Sequence, residues 1–504
     1  MLSTGEEVLT WLKTTRGAHA GAIISIGRRF EIHDKQIHYC RCRISIAQFS
    51  YPSMLDGPHV GNPYNFLMAT VSWTVRDLRR ALASGALKPT QLAEQALTHS
   101  YQSPSHNTYL WQDAVWTRTE ANRVEQMPSG SGGAFGDGRS ALWGLPVSVK
   151  DCFNLRGAPT SCGTVFYRDL NGNAADDSWV VDRLRAAGAI IIGKTHVHPL
   201  TYGITGENPE FGDCLLPGDP GSLTGGSSSG AVASVLEGSA VAAIGTDTGG
   251  SVRVPAALSG LVGYRSTLGR GSWNGGAHLA ESFDTLGWLF RDLEDAPLLA
   301  EFYASEASAA AKTYTRFAVT AESFLHDCEP QIMESFRSAI RELQALGLEG
   351  RTIDPEWWSE SREIFARIQA WEAARLHAGH FDRFGSAIRE RFEMGASITP
   401  AEIATLRQRH AEFNARMDDL FETHQLIMFP CAPVARLAAG ADHSQTRAHL
   451  LRYTTPFSLA GVPVIAVPYS SGGMQIAGQR GSDESLVQLA ARIGAQRKSS
   501  APPF

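Results

Sequence analysis

Leu78 and Leu82 stand four apart behind Thr74, and this spacing after a threonine cap predicts a helix that Gly85 stops. Pro89 opens a second helix, with Leu92, Ala96 and His99 on one face. Between Trp143 and Gly269 the pattern changes: short apolar runs (LPVSV, AIII, VAAIG) alternate with helical stretches such as SWVVDRLRAAG. That alternation is the mark of an α/β fold. From about 296 to 421 long helical patterns dominate, including QIMESFRSAIRELQALG and PAEIATLRQRHAEFNARMDDLF, which reads as a helical insertion. Strand-like LIMFP and VPVIAVP follow, and a final helix is expected around Ser485 to Ile493. GSGGAFGDG, Gly130 to Gly138, reads as a surface loop. Residues 1–67 carry no sustained period, so an N-terminal extension is expected before a main domain of 68–504 that keeps its fold from Met68 onward.

Composition narrows the class. With 504 residues, 43% hydrophobic and 19% charged, the chain can bury a large core, and its 49 glycines form no repeat. A net charge of -6 argues against a nucleic-acid partner. Seven scattered cysteines point to reduced thiols and a cytoplasmic location. No apolar run approaches the ~20 residues that span a bilayer, so no membrane partner is expected. Glu6, Glu7 and Lys13 interrupt any signal-peptide core.

Two motif strings fail on physical grounds. GAIIIGKT, Gly188 to Thr195, fits the phosphate-loop string, yet Ala189 to Ile192 is an apolar run that belongs in a buried strand, where no N–H is free for phosphate. GSSSG, Gly226 to Gly230, fits the nucleophile elbow around Ser228, with His278 downstream. Its approach, LLPGDPGSLTG, is too rich in proline and glycine for the central strand an elbow needs.

A third constellation is spread over three segments. GLPVSVKDCFN places Lys150 at the end of an apolar run, where burial would lower its pKa and let it take a proton; alone, it would more simply pair with Asp151. TGGSSSG supplies Ser227, and GTDTGGSVRVP supplies Ser251, 24 residues later. A second hydroxyl, which donates and accepts at once, can relay a proton from a nucleophilic serine to a lysine that does not touch it.

These three segments resemble the amidase signature family, whose triad is Ser-cisSer-Lys. Further similarity lies in DRLRAAGAIIIGKT, PFSLAGVPVIAVP and MQIAGQRGSDESLVQLAARI, so the likeness spans most of the chain from about residue 74. The resemblance implies a large mixed β-sheet between helices, no cofactor and no metal. It implies Ser251 as nucleophile, Ser227 as relay behind a cis Gly226–Ser227 peptide, and Lys150 as base. The N–H groups of Thr248, Gly249, Gly250 and Ser251 would gather on the oxyanion, with Asp247 and Arg253 as structural support. Val232, and HVHPLTYG at His196 to Gly203, depart from the family pattern; the second lies where members line the pocket, which leaves the substrate open.

The resemblance implies hydrolysis of a small-molecule amide, with carbamates and esters accessible to the same nucleophile. A glutaminase subunit of a tRNA-dependent amidotransferase is the alternative, for which Arg375 and Asp382 are candidates to hold the α-carboxylate and α-amine. A homodimer is left open. His33, His38, Cys40 and Cys42 lack zinc spacing, and Cys152 reads as a small buried residue rather than a thiol nucleophile. Trp357, Trp358 and Trp371 are core candidates, or walls of an acyl pocket.

Overall fold

The computed structural model describes residues 73–129, 134–303 and 311–500. The expected extension at 1–67, the four histidine and cysteine candidates within it and the start of the glycine loop lie outside the described residues. The first helix is Val75–Ala83, and Thr74 caps it by accepting from the Asp77 N–H while Leu78 and Leu82 turn inward. The second runs Pro89–Gln102, with proline in its first turn where a missing N–H costs nothing.

Thirteen strands are described: β1 Tyr109–Trp111, β2 Pro146–Lys150, β3 Ile190–Thr195, β4 Leu215–Leu216, β5 Asp219–Leu223, β6 Ala242–Asp247, β7 Val262–Arg265, β8 Thr285–Phe290, β9 Arg316–Thr320, β10 Glu349–Ile353, β11 Leu426–Pro430, β12 Val464–Pro468 and β13 Gly473–Gly478. Eleven form one mixed sheet in the order β1-β3-β2-β6-β8-β7-β12-β13-β11-β9-β10. The apolar runs read from the sequence supply its centre. Every residue of β2, β3, β6, β8 and β11 is buried, so both sheet faces are covered there. β4 and β5 form a separate two-stranded sheet, with a bridge from Ser222 to Ala438, which is how the proline- and glycine-rich approach to GSSSG folds.

One expectation is corrected. The segment 296–421 is not purely helical: β9 and β10 lie inside it and pair in parallel, and β9 pairs with β11, so this stretch extends the main sheet. RFAVT and EGRTI are five-residue strands set between long helices such as Pro330–Ala345 and Pro400–His424, and helical periodicity masked them.

β2 pairs in parallel with both β3 and β6, so their C-terminal ends meet at one edge of the sheet. Lys150 ends β2, and Asp247 ends β6. Ligand sites of α/β sheets form outside such ends.

Candidate active site

Lys150 is fully buried, and its Nζ lies 2.8 Å from Ser227 Oγ and 2.7 Å from Thr246 Oγ1. Burial pushes the lysine down to about 8, against the pull of Cys152, Asp247 and Asp284, which favour the charged form. The Gly226–Ser227 peptide is cis. Asp151 does not pair with Lys150. It forms an ion pair with Lys194 at 2.7 Å, and Lys194 also donates to Thr160 Oγ1 at 2.7 Å. The lysine of the GKT string is therefore locked inside the fold at the end of a buried strand, and the phosphate-loop reading has no physical basis.

Ser251 is 5% exposed and precedes the helix Arg253–Ser259. The Ser228 N–H donates to Ser251 O at 3.3 Å, which ties the GSSSG turn to the Ser251 turn. Ser251 Oγ makes no hydrogen bond among the described residues, so Lys150 and Ser227 are joined directly while Ser251 is brought beside them through backbone. Gly250 has φ +119°, and a Cβ there would meet Thr454 Cγ2 at 2.7 Å, so only glycine makes this turn. The expected set of four oxyanion donors needs correction. The Gly250 N–H donates to Asp247 Oδ1 at 2.9 Å, which leaves the N–H groups of Thr248, Gly249 and Ser251 unpaired among the described residues.

Asp247 organises this turn from beneath. It is fully buried, pairs with Arg253 and with Arg265 at 2.9 Å each, and accepts from the Val252 and Arg253 N–H groups. Burial raises its pKa, but the two guanidiniums outweigh that and hold the carboxyl well below the usual carboxylate range. Arg253 reaches on to Gln475 Oε1 at 2.8 Å, Ser458 Oγ at 2.8 Å and the Thr454 carbonyl. Sequence reasoning assigned Arg253 a supporting role but missed Thr246, Arg265, Thr454, Ser458 and Gln475. Ser458 and Gln475 sit in the PFSLAG and MQIAG segments that carried the resemblance, which was the available signal.

Asp247→Asn should destabilise the fold by about 3–5 kcal/mol, because removing one partner leaves two buried guanidiniums without a counter-charge. Chemical denaturation measures this. A loss under about 1 kcal/mol, the range of an exposed ion pair, would show that the buried network contributes little.

The remaining sequence candidates have plain roles. Ser228 is buried and donates to the Thr246 carbonyl at 3.3 Å, facing the sheet, while His278 binds Asp284 at 3.0 Å. Burial pushes the Cys152 thiol up to about 12, which removes it as a nucleophile at neutral pH. Trp358 is buried against Phe429, Trp357 carries Arg416 at 3.9 Å from its ring, and Trp371 carries Arg375; none walls a cavity at the site. Asp382 is exposed beside Arg383, Arg375 lies over the Trp371 ring, and neither glutamine-binding candidate lines either cavity at the site.

Two cavities meet here. A narrow cleft holds Ser251, Thr248 and Gly249. It shares Thr201 with a roomier cavity of about 320 Å³, lined by Cys162, Tyr167, Leu200, Ala277, His278 and His377 among others. Leu200 and Thr201 belong to the HVHPLTYG stretch, so the sequence departure does fall on the cavity wall. The cavity's aromatic wall is Tyr167, whose hydroxyl bonds His377 Nδ1 at 2.7 Å, rather than a tryptophan.

The family model described as Amidase matches residues 105–487. Indoleacetamide hydrolase of Pseudomonas savastanoi is 30% identical over 430 residues, covering 79% of this chain and 90% of that protein. A subunit of the glutamyl-tRNA(Gln) amidotransferase of Thermotoga maritima is 27% identical over 405 residues, covering 70% of this chain and 85% of that protein. A crystal structure of an amidase superposes with a TM-score of 0.75 at 28% identity, covering 84% of this chain and all of that one. With a family match over most of its length and a mixed sheet of the same fold, the chain belongs to the amidase signature family, hydrolases of carbon–nitrogen bonds.

Proposed function

We propose that the protein hydrolyses a small-molecule amide through Ser251, Ser227 and Lys150. The observation that carries this is the buried 2.8 Å contact between Lys150 Nζ and Ser227 Oγ, with the lysine's pKa lowered into the working range of a base. Neutral Lys150 accepts the Ser227 proton as Ser227 takes that of Ser251, and Ser251 Oγ attacks the carbonyl carbon. Negative charge then grows on the carbonyl oxygen, for which the free N–H groups of Thr248, Gly249 and Ser251 are available donors. The lysine proton returns through Ser227 to the leaving amine, and water releases the acyl group by the same relay. The cavity of about 320 Å³ suits the acyl portion of a small molecule, and indoleacetamide, the substrate named for one relative, is an amide of that kind.

The glutaminase reading has less support. Glutamine needs an acid for its α-ammonium, and neither cavity is lined by a carboxylate among the described residues. Protonated Lys150 cannot accept a proton, so kcat/KM should rise with pH through about 8 and stay high above it. A pH profile on a primary aryl- or alkylacetamide measures this. A profile that is flat, or that falls through pH 8, removes Lys150 as the base.

A further inference from the structure

Among the described residues, Arg447 is the one charged side chain lining the Ser251 cleft. It sits in the first turn of the helix Ser444–Ala460, a turn that carries no acid. Its guanidinium forms no ion pair and no hydrogen bond among the described residues, and its Nε is buried without an acceptor. Its charged neighbours are themselves cations, Arg391 and Arg362. Arg391 is satisfied: it lies 4.2 Å from the centre of the Tyr202 ring and donates to the Tyr202 carbonyl. Arg447 has nothing comparable. A half-buried guanidinium without an acceptor is costly, and the positive end of the helix adds to the same field.

Arg447 is also close to the chemistry. Leu451, one helical turn further on, would touch a Cβ placed at Gly249 at 3.2 Å, and Thr454 next along bonds the Gly249 carbonyl. Arg447, Leu451, Gly249 and Ser251 all line this one narrow cleft, so the guanidinium opens onto the same space as Ser251.

We propose that Arg447 receives a carboxylate of the substrate, so that the protein selects amides carrying an anionic group a few bonds from the scissile carbonyl. This rests on the amidase reading above and narrows it. Because no carboxylate among the described residues lines either cavity, the substrate is an anion rather than a zwitterion. The carboxylate supplies the acceptors Arg447 lacks, and the planar fork can bind it through two parallel N–H donors.

Matched pairs test the proposal: phenylacetylglycine against N-propylphenylacetamide, and succinamate against butyramide. In at least one pair kcat/KM should favour the carboxylate by roughly 10- to 100-fold, the range for hydrogen bonds to a charged group. In Arg447→Met that ratio should fall to about one, and Arg447→Lys, which keeps the charge but loses the fork, should restore only part of it. Calorimetry on Ser251→Ala, with and without Arg447→Met, reads binding of the same carboxylates without turnover. If neither amide is cleaved but Arg447-dependent binding persists, the hydrolase reading fails and the subsite stands. Ratios near one in the unaltered protein overturn the subsite while leaving the hydrolase intact. So does a ratio that survives in an Arg447→Met protein with an unchanged unfolding midpoint. Should Arg447→Met misfold, the unaltered protein's ratios and the Ser251→Ala calorimetry still decide.

Discussion

Ser251→Ala is expected to lower kcat/KM by about 10⁴- to 10⁶-fold, the range seen when the nucleophile of a serine hydrolase is removed. Ser251 is nearly buried and its backbone carbonyl accepts from the Ser228 N–H, so loss of its side chain leaves no hydroxyl in the same place. The fold should hold, because Ser251 Oγ makes no bond within the described residues and alanine accepts the same backbone angles. Labelling with a fluorophosphonate and locating the adduct by peptide mass spectrometry identifies the nucleophile independently. An adduct on Ser228 would overturn the assignment, and so would normal turnover by Ser251→Ala.

Lys150→Met is expected to cost about 10²- to 10⁴-fold, since no other base among the described residues stands in line with Ser227. Burial pushes His196 down to about 4, and it binds the Gly212 carbonyl; burial also holds His198 well below the ordinary histidine value. Methionine fills a similar volume without a charge to desolvate, so the unfolding midpoint should hold or rise, separating chemistry from folding. The residual activity should also lose its rise through pH 8. Ser227→Ala should keep a trace of activity, because a water can take the place of the relay hydroxyl. A Lys150→Met protein that retained the full rate would show that proton transfer runs elsewhere.

Much of this molecule was legible in one dimension. The cap at Thr74, the proline opening at Pro89, the strands LPVSV, AIII and VAAIG, and the stop at Gly85 rest on residues within a few positions of each other. The same holds for the candidate site: Lys150 at the end of an apolar run and Ser251 after two glycines are local patterns. They sit where three strand ends converge because parallel pairing aligns those ends. The strands inside 296–421 were hidden, since five residues of mixed exposure carry less periodic signal than the helices around them.

The order of residues was thus enough to specify an α/β chain with the segments of the amidase signature family, because helix caps, strand runs and glycine turns are written in short windows. How those residues are held, and what they face, was settled only once the chain had folded. Asp247 finds Arg265 across 18 residues, and Arg253 finds Gln475 across 222. Asp151 turns to Lys194 rather than Lys150, and Arg447 enters the cleft from a helix whose own sequence gives no reason for it. Partner choice among buried charges depends on which strands lie side by side, and desolvation penalises every charge the sheet order leaves unpaired.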